Sequence, residues 1–398
     1  MKGRDAPVSS STSTSTTTNL PPPVPRPNLS LIEQRIAVTP LACISSRHFT
    51  NTYPLWHPPG ARGIFGGTPI AQCIIAATQT VPESLWLHSV HAYFVLAGTA
   101  DTPIIYKVIN IRDGRSYATR EIRATQKEAV IFIMIASFQR PSSADRKANG
   151  AVAEWGTPMP TDVPPPDQVP SESDASAERQ QQIDTLYSTI SQRKSQNPND
   201  PKLPCLEKNH AQLVKRHKRH CILGAFECRR LPPARLDYSP STPISHRKTR
   251  HWARTRQLIS PEALSETPQF HLAALAYSTD DSFIGTVTRV NPITRLANMG
   301  MMVSLDHAIW FHIGPETKVD GEEWLLVEMD AAWAGEERVL VTQRIWRRRD
   351  GRLVATCVQE GVVRLKEGSV PKEEKAVGVM RGAGVGDAGG YGKVDSKL

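Results

Sequence analysis

Apolar and polar positions form two regular blocks along the chain, separated by a polar middle section. In the first block, at about 29–141, an apolar stretch of small residues begins at Thr68-Pro69. It predicts a buried helix with Thr68 as the N-cap and Pro69 at the first helical position. Runs rich in β-branched and aromatic residues then predict strands, with Asp113-Gly114 as a hairpin turn. These strands are expected at 87–96, 104–111, 116–124 and 130–138.

The second block, at about 225–366, repeats the plan of the first. Thr267-Pro268 again precedes an apolar stretch, which predicts a second buried helix over 269–277. Asp350-Gly351 marks another hairpin turn. Strands are predicted at 302–312, 324–333, 338–347 and 353–365. Two copies of one helix with a strongly bent antiparallel sheet around it predict an α+β architecture, a tandem hotdog fold.

Three other segments lack this periodicity. Residues 1–28 are rich in Ser, Thr and Pro and predict a disordered lead. A mitochondrial transit peptide is the alternative; Lys2 and Arg4 favour it weakly, and the lack of an amphipathic period opposes it. Residues 142–224 contain Pro and Gln clusters and predict a linker or insertion that is partly mobile. Residues 367–398 are rich in Gly and predict a flexible tail.

Composition narrows the classes of protein. The chain has 398 residues, 48 Lys and Arg against 39 Asp and Glu, and a formal charge of +9. The longest apolar run, at 129–138, is about half of the roughly 20 residues that a bilayer-spanning helix needs, so no membrane span is predicted. Six cysteines without a Cys-x-x-Cys pair imply neither a disulfide scaffold nor a zinc module, and a reducing compartment fits best.

Short motifs in both blocks resemble the acyl-CoA thioesterase II family. In the first block they are Phe65-Gly66-Gly67, His88-Ser89-Val90-His91-Ala92-Tyr93-Phe94, Pro103-Ile104-Ile105-Tyr106, Arg112-Asp113-Gly114-Arg115-Ser116 and Ala136-Ser137-Phe138-Gln139. In the second block they are Leu275-Ala276-Tyr277-Ser278-Thr279-Asp280, Ser304-Leu305-Asp306-His307-Ala308-Ile309-Trp310-Phe311-His312, Glu323-Trp324-Leu325-Leu326 and Val358-Gln359-Glu360-Gly361-Val362. The order and spacing of the motifs match over about 30–141 and 225–366. The resemblance implies a double hotdog that hydrolyses fatty acyl-CoA to a free fatty acid and CoA.

The family resemblance also implies an active site. Members of that family use an Asp, a Thr or Ser, and a Gln to orient a water beside the thioester, without a covalent acyl-enzyme. By motif, these positions fall on Asp280, Ser304 and Gln359 in the second block. The sequence departs from the pattern at Thr68, where the family commonly has Gln, and at Ser304, which is the less usual hydroxyl residue.

The residue types suit this reaction. Water attacks a thioester only when a positioned base takes its proton, and Asp280 is the one candidate base of the three. Gln359 and Ser304 carry groups that can hydrogen-bond the water or the developing oxyanion, and which of them contacts which stays open. His91 and His307 occupy corresponding positions in the two blocks. We expect both to be core histidines bonded to backbone rather than catalytic residues.

Other chemistries find less support. There is no Gly-x-Ser-x-Gly or His-Glu-x-x-His motif, and Gly384 to Gly389 fits a dinucleotide pattern without a preceding strand. We therefore predict no cofactor and no metal. A non-catalytic protein that binds acyl-CoA is the alternative function. Nucleic acid is not an expected partner, because a basic run such as Lys215 to His220 is usually solvated surface. A homo-oligomer is compatible with the sequence.

Two further features concern location and charge. The chain ends in Ser396-Lys397-Leu398, a peroxisomal address that an import receptor reads, so the peroxisomal matrix is predicted. Residues 201–256 hold 14 Lys and Arg against 3 Asp and Glu. We interpret this local excess as a patch that meets the phosphates of CoA. Within it, the second block contributes Arg247, Lys248, Arg250, Arg254 and Arg256.

Overall fold

The computed structural model describes residues 29–58, 61–220, 224–231, 242–261, 269–294, 296–314, 318–319 and 321–369. The predicted disordered lead, the Thr267-Pro268 pair and the Ser396-Lys397-Leu398 tripeptide lie outside these ranges. Among the described helices, none combines the length and the apolar character that crossing a bilayer requires.

Helices and strands follow the two blocks of the sequence. The first half contains α1 (Leu31–Ile36), β1 (Val38–Pro40), β2 (His48–Asn51), α2 (Gly67–Thr78), β3 (Trp86–Phe94), β4 (Ile105–Asp113), β5 (Tyr117–Gln126) and β6 (Ala129–Gln139). The middle section contains α3 (Ala144–Ala148), α4 (Glu172–Gln196) and α5 (Leu203–His220). The second half contains β7 (Phe226–Arg230), β8 (Lys248–Thr255), α6 (Phe270–Thr279), α7 (Val287–Val290), β9 (Met299–Ser304), β10 (Asp306–Phe311), β11 (Leu325–Gly335), β12 (Arg338–Arg347) and β13 (Leu353–Leu365).

The strands of both halves form one antiparallel sheet. Its order is β1-β2-β4-β5-β6-β3-β10-β13-β12-β11-β8-β7, and β9 pairs with β13 beside this path. The halves join where β3 pairs with β10, with Ala92 opposite His307. Each half therefore has its own bent antiparallel sheet around a central helix, as the tandem hotdog prediction requires, and the two sheets are continuous.

The two central helices form the core. Every residue of α2 is buried, and so is every residue of α6 except Ser278. At one end of the pair, the backbone of Gly67 in α2 approaches the carbonyl oxygen of Tyr277 in α6 so closely that a Cβ would collide with it. At the other end, the side chain of Gln269 before α6 bonds to Leu85 and Leu87 after α2. The helices therefore pack antiparallel, and the C-terminus of each lies at the N-terminus of the other.

Two local predictions differ from the structure. The first central helix begins at Gly67 with Gly66 as its N-cap, so Thr68 is not the N-cap; Thr68 N–H already donates to Phe65 O inside the first turn. The strand predicted at 302–312 is two strands, β9 and β10. The chain divides at Leu305, whose N–H donates to Glu360 O and whose carbonyl accepts from Phe94 N–H. Because β3 ends at Phe94, only β9 continues along β13 beyond that point.

The middle section, for which the sequence predicts a linker or insertion, contains helices. Helices α4 and α5 pack against each other, and an ion pair between Arg193 and Asp200 closes the turn between them. The chain before them covers the outer face of the second half. There, Trp346 Nε1 donates to Thr157 O at 2.8 Å and Trp252 Nε1 donates to Pro164 O at 2.9 Å.

Candidate active site

The N-terminus of α2 is open toward a carboxylate of the other half. Gly66, its N-cap, has no side chain to bond the first turn. A Cβ at Gly66 would lie 2.7 Å from Asp280 Oδ2 and 2.9 Å from a ring carbon of Phe94, so any larger residue would force these side chains to shift. The backbone N–H groups of Gly66 and Gly67 stabilise the Asp280 carboxylate and so lower its pKa. A helix N-terminus carries a partial positive charge, so this end of α2 suits an anion.

Asp280 and Gln359 meet at this helix end. Asp280 is the C-cap of α6, and Gln359 lies on β13, 79 residues further along the chain. Gln359 Nε2 donates to Asp280 Oδ1 at 3.0 Å. Gln359 is wholly buried, whereas Asp280 keeps part of its surface exposed. The structure thus brings two of the three predicted site residues into direct contact.

Asp280 is poised between its two protonation states near neutral pH. Burial raises the pKa of Asp280 to about 7, and the negative charge of Asp281 adds to this rise. The amide of Gln359 and the N–H groups of Gly66 and Gly67 act in the opposite direction, because they stabilise the carboxylate. A carboxyl group with a pKa near the working pH is suited to general base catalysis.

Ser304, the third predicted residue, ends strand β9. Its partner across the ladder is Gly361, two residues beyond Gln359 on β13. Residues directly opposite share a face of the sheet, as do alternate residues of one strand, so Ser304 and Gln359 point to the same side. Diagonal neighbours of this kind lie about 7–8 Å apart. Ser304 therefore borders the site at a distance suited to a bound molecule or water between it and Gln359.

A buried hydrogen-bonded chain continues from Gln359 into the core. Gln359 Nε2 lies 3.0 Å from His307 Nδ1, and His307 Nε2 lies 2.9 Å from Thr279 Oγ1. Thr279 Oγ1 donates to Ala276 O at 2.7 Å. Burial lowers the pKa of His307 to about 3, so its ring is neutral.

This chain corrects the predicted role of the two histidines. His307 is buried and bonds to two side chains rather than to backbone, whereas His91 is exposed and its ring packs against Trp310 at 5.2 Å. Ala92 lies opposite His307 in the ladder between β3 and β10, so these two share the buried face of the sheet and His91 points to the other face. The two histidines therefore do not occupy corresponding positions. The one sequence feature that indicates these hydrogen bonds is the hydroxyl residue Thr279, directly before Asp280.

The side-chain oxygen of Gln359 is an unsatisfied buried acceptor in the site. It is buried and has no hydrogen-bond partner among the described residues. Buried polar atoms are nearly always bonded, so an orphan acceptor beside a carboxylate points to a bound molecule that donates to it.

The basic residues of the second half have partners within the protein. Arg254 pairs with Glu227, and its guanidinium stacks on Trp324 at 4.4 Å. Lys248 and Arg250 both pair with the buried Glu328. In the same way Arg256 bonds Glu172, and Arg247 donates to the carbonyls of Thr242 and Val290. These contacts neutralise or occupy the cluster, so the structure does not support the interpretation of these five residues as a free patch for the phosphates of CoA.

No metal site emerges from the described part of the chain. Within it, no three side chains of His, Cys, Asp or Glu are grouped so that they could hold a metal ion.

Comparisons with known proteins identify the family of the chain. Residues 53–139 match the family model of the acyl-CoA thioesterase N-terminal domain, and residues 201–363 match that of the C-terminal domain. Acyl-coenzyme A thioesterase 8 of Homo sapiens is 32% identical over 316 residues, which cover 78% of this chain and 83% of that protein. Peroxisomal acyl-coenzyme A thioester hydrolase 1 of Saccharomyces cerevisiae is 25% identical over 346 residues, covering 84% of this chain and 95% of the relative.

Solved structures show the same architecture. Acyl-CoA thioesterase II TesB2 from Mycobacterium marinum superposes with a TM-score of 0.58 at 25% identity and covers 85% of this chain and 99% of its own. A thioesterase II structure from Thermobifida fusca, at 14% identity and a TM-score of 0.54, shows the fold alone; it covers 84% of this chain and 98% of its own. The chain is a thioester hydrolase with a tandem hotdog fold, and it belongs to the acyl-CoA thioesterase family.

Proposed function

We propose that the protein hydrolyses fatty acyl-CoA by direct attack of a water that Asp280 activates. The observation that carries the proposal is the Asp280 carboxylate, held by Gln359 at 3.0 Å beside the uncapped N-terminus of α2. This arrangement joins a base with a pKa of about 7 to the positive end of a helix dipole, which can stabilise an oxyanion.

The reaction divides between the two helix ends. The thioester carbonyl oxygen points to the N-terminus of α2, where the helix dipole stabilises the negative charge that develops on it. The water lies beside Asp280 and donates one hydrogen to the carboxylate and the other to Gln359 Oε1, an unsatisfied buried acceptor in the site.

The proposed reaction needs no covalent acyl-enzyme intermediate. The water oxygen forms a bond to the carbonyl carbon as its proton moves to Asp280, which gives a tetrahedral oxyanion. Collapse of the oxyanion breaks the carbon–sulfur bond, and the departing thiolate of CoA takes up the proton that Asp280 holds. Ser304 borders this space and orients the water or the carbonyl oxygen.

A thiol-trapping assay with palmitoyl-CoA tests the proposal. The purified protein should release free thiol, and Asp280→Ala should lower kcat by at least about 10²-fold, the smaller end of what a general base supplies. Asp281→Asn is the matched control, since it alters the neighbouring carboxylate and should keep turnover. Full activity in Asp280→Ala would refute the assigned base. A wild-type protein that binds palmitoyl-CoA stoichiometrically without consuming it would establish the non-catalytic binding alternative.

We further propose that the enzyme works in the peroxisome. Ser396-Lys397-Leu398 has the form of a peroxisomal address, and the Saccharomyces cerevisiae relative is named a peroxisomal thioester hydrolase. A fluorescent protein fused to the N-terminus should mark peroxisomes, and removal of the three residues should leave the fusion cytosolic. Cells without another copy of the enzyme are needed, because a co-assembled partner could carry the truncated chain. Import of the truncated fusion in such cells would refute the address.

A further inference from the structure

The amide of Gln359 is the point where the site connects to the core. Its nitrogen lies 3.0 Å from both Asp280 Oδ1 and His307 Nδ1, and its oxygen has no partner in the described protein. Rotating the amide by half a turn would place the oxygen against the carboxylate, acceptor facing acceptor. The orientation of one amide therefore decides whether Gln359 supports or opposes the ionised form of Asp280.

Three bonds determine that orientation. Thr279 uses its hydroxyl proton on Ala276 O at 2.7 Å, so it can only accept from His307 Nε2 at 2.9 Å. His307 therefore carries its proton on Nε2 and presents a lone pair on Nδ1, because the ring is neutral and holds one N–H. A lone pair requires a donor, and Gln359 Nε2 supplies it at 3.0 Å.

We propose that His307 and Thr279 are positioning residues for thioester hydrolysis, acting by fixing the amide of Gln359 with its N–H toward Asp280 and its oxygen toward the attacking water. The inference rests on the proposed role of Asp280 and Gln359. Neither His307 nor Thr279 touches the reacting atoms in this scheme. Both act through Gln359, as partners that orient a catalytic group do elsewhere.

Packing supports the assignment because both residues are enclosed in the core. His307 is 1% exposed and Thr279 is fully buried. The rings of Phe283 and His307 pack in a T-shaped arrangement with their centroids 5.4 Å apart. Burying a neutral histidine in this way costs less free energy than burying a charged one. Both ring nitrogens of His307 have hydrogen-bond partners.

Thr279→Val is the direct test, since it keeps the shape and removes the acceptor for His307 Nε2. The ring then gains nothing from a proton on Nε2, the Nδ1–H tautomer becomes available, and the Gln359 oxygen turns toward both Nδ1 and Asp280. We expect kcat for palmitoyl-CoA to fall about 10-fold with little change in KM, the rate equivalent of one lost hydrogen bond. Thr279→Ser keeps the hydroxyl and should retain the wild-type rate.

The pH profile provides a readout that a merely structural role would not change. Groups facing Asp280 come from α2 through the N–H groups of Gly66 and Gly67, from β13 through Gln359, and from the end of α6 through Asp281 and the neutral Tyr277. Only the Gln359 contact changes in Thr279→Val. We expect the midpoint of kcat/KM against pH to rise by about one unit, because one unit corresponds to about 1.4 kcal/mol.

Thr78→Val is the matched control. Thr78 is the last residue of α2, as Thr279 is of α6, and its hydroxyl donates to Ile74 O at 2.8 Å. This variant loses a comparable intrahelical bond at the opposite end of the helix pair, so kcat and the pH midpoint should stay at their wild-type values. Thermal unfolding of all three variants shows whether each is folded under the assay conditions.

The tautomer of His307 is measured without any reference to activity. The ¹⁵N spectrum of histidine-labelled protein, with His307 assigned by the loss of its signals in His307→Phe, should show a proton on Nε2 in the wild type. A proton on Nδ1 in the wild type would overturn the inference. So would a Thr279→Val enzyme with an unchanged kcat and pH midpoint. A wild type that fails to hydrolyse palmitoyl-CoA would instead refute the proposed function, and the tautomer result would stand apart from it.

Discussion

The two ends of the paired central helices have the same topology and different chemistry. At one end, the N-terminus of α2 is uncapped and meets Asp280 at the C-terminus of α6. At the opposite end, the N-terminus of α6 meets the chain after α2, and Gln269 closes the gap. Gln269 Oε1 accepts from Leu87 N–H at 2.6 Å, and Gln269 Nε2 donates to Leu85 O at 3.0 Å. One end places a carboxylate at an uncapped helix N-terminus, and at the other end a side-chain amide bonds the backbone directly.

The inner face of the sheet shows the same division. Met134, Ala92 and His307 lie side by side on three neighbouring strands, and Gln359 bonds His307 from the fourth. The first half contributes an apolar pair to this row, and the second half contributes a polar pair. The last residues of the two helices differ in the same way, since Thr279 contacts His307 whereas the side chain of Thr78 bonds only within its own helix, to Ile74 O, among the described contacts.

The difference shows that each half supplies what the other lacks. The first half provides the open helix N-terminus at Gly66 and Gly67, and the second half provides Asp280, Gln359 and the hydrogen-bonded chain behind them. The candidate site is therefore composite, and neither half contains it alone. Substitutions at the end that holds Gly66 and Asp280 should therefore lower activity. Substitutions at the closed end, where Gln269 bonds the backbone, should lower stability.

Gln359→Met should have the largest effect, because it gives the second half the residue that Met134 provides in the first. Asp280 loses its amide donor, His307 loses its partner, and the water loses its acceptor. We expect kcat for palmitoyl-CoA to fall about 10³-fold, within the range for loss of one preorganised donor. Met134→Leu is the control on the same row and should keep kcat. Activity of Gln359→Met within tenfold of the wild type would contradict the composite site.

Gly66→Ala should have the next largest effect. Its Cβ would lie 2.7 Å from Asp280 Oδ2, so the carboxylate must shift away from the end of α2. A displacement of about 1 Å costs about 10²-fold in rate. Gly285→Ala is the matched control, because nothing lies within 4 Å of its added Cβ. The kcat of both variants, measured with palmitoyl-CoA, should separate them; equal activity would show that the close contact at Gly66 has no catalytic role.

Much of the fold follows from local sequence patterns. The strands β12 and β13 begin and end at the predicted residues, and Gly351 in the turn between them has a φ of +66°, a conformation that favours glycine. The prediction of Thr68 as the N-cap was wrong because Thr-Pro is a common helix start, whereas this helix begins one residue earlier, at Gly67. Gly67 lies so close to the carbonyl oxygen of Tyr277 that the position requires glycine. That approach is a tertiary contact between the halves, which no local pattern encodes.

The sequence predicts only part of the candidate site. The resemblance pointed to Asp280, Ser304 and Gln359, and the structure brings Asp280 and Gln359 into contact. His307 was missed as a partner because a histidine among apolar strand residues is usually a core residue. Its bond to Thr279 depends on the fold, since 28 residues separate the two along the chain.

Gln269→Leu tests the closed end and should have a smaller effect, on stability alone. Removing the side-chain amide leaves the buried Leu87 N–H and Leu85 carbonyl without their partner. An unsatisfied buried polar group costs about 1–3 kcal/mol. Urea unfolding should show a loss in the free energy of unfolding of this size, while kcat of the folded enzyme stays at the wild-type value. A fall in kcat without a loss of stability would mean that the closed end also takes part in catalysis.

Asp281→Asn should have the smallest effect, a shift in pH dependence. The negative charge of Asp281 raises the pKa of Asp280, so its removal lowers that pKa and moves the rising limb of kcat/KM to lower pH. The shift should stay below about one unit, because Asp281 is partly exposed and lies 3.6 Å from Arg230, which already offsets its charge. This direction is opposite to that expected for Thr279→Val, so the two variants together distinguish a charge effect from an amide orientation effect. A midpoint that rises in Asp281→Asn would show that the limb does not report the ionisation of Asp280.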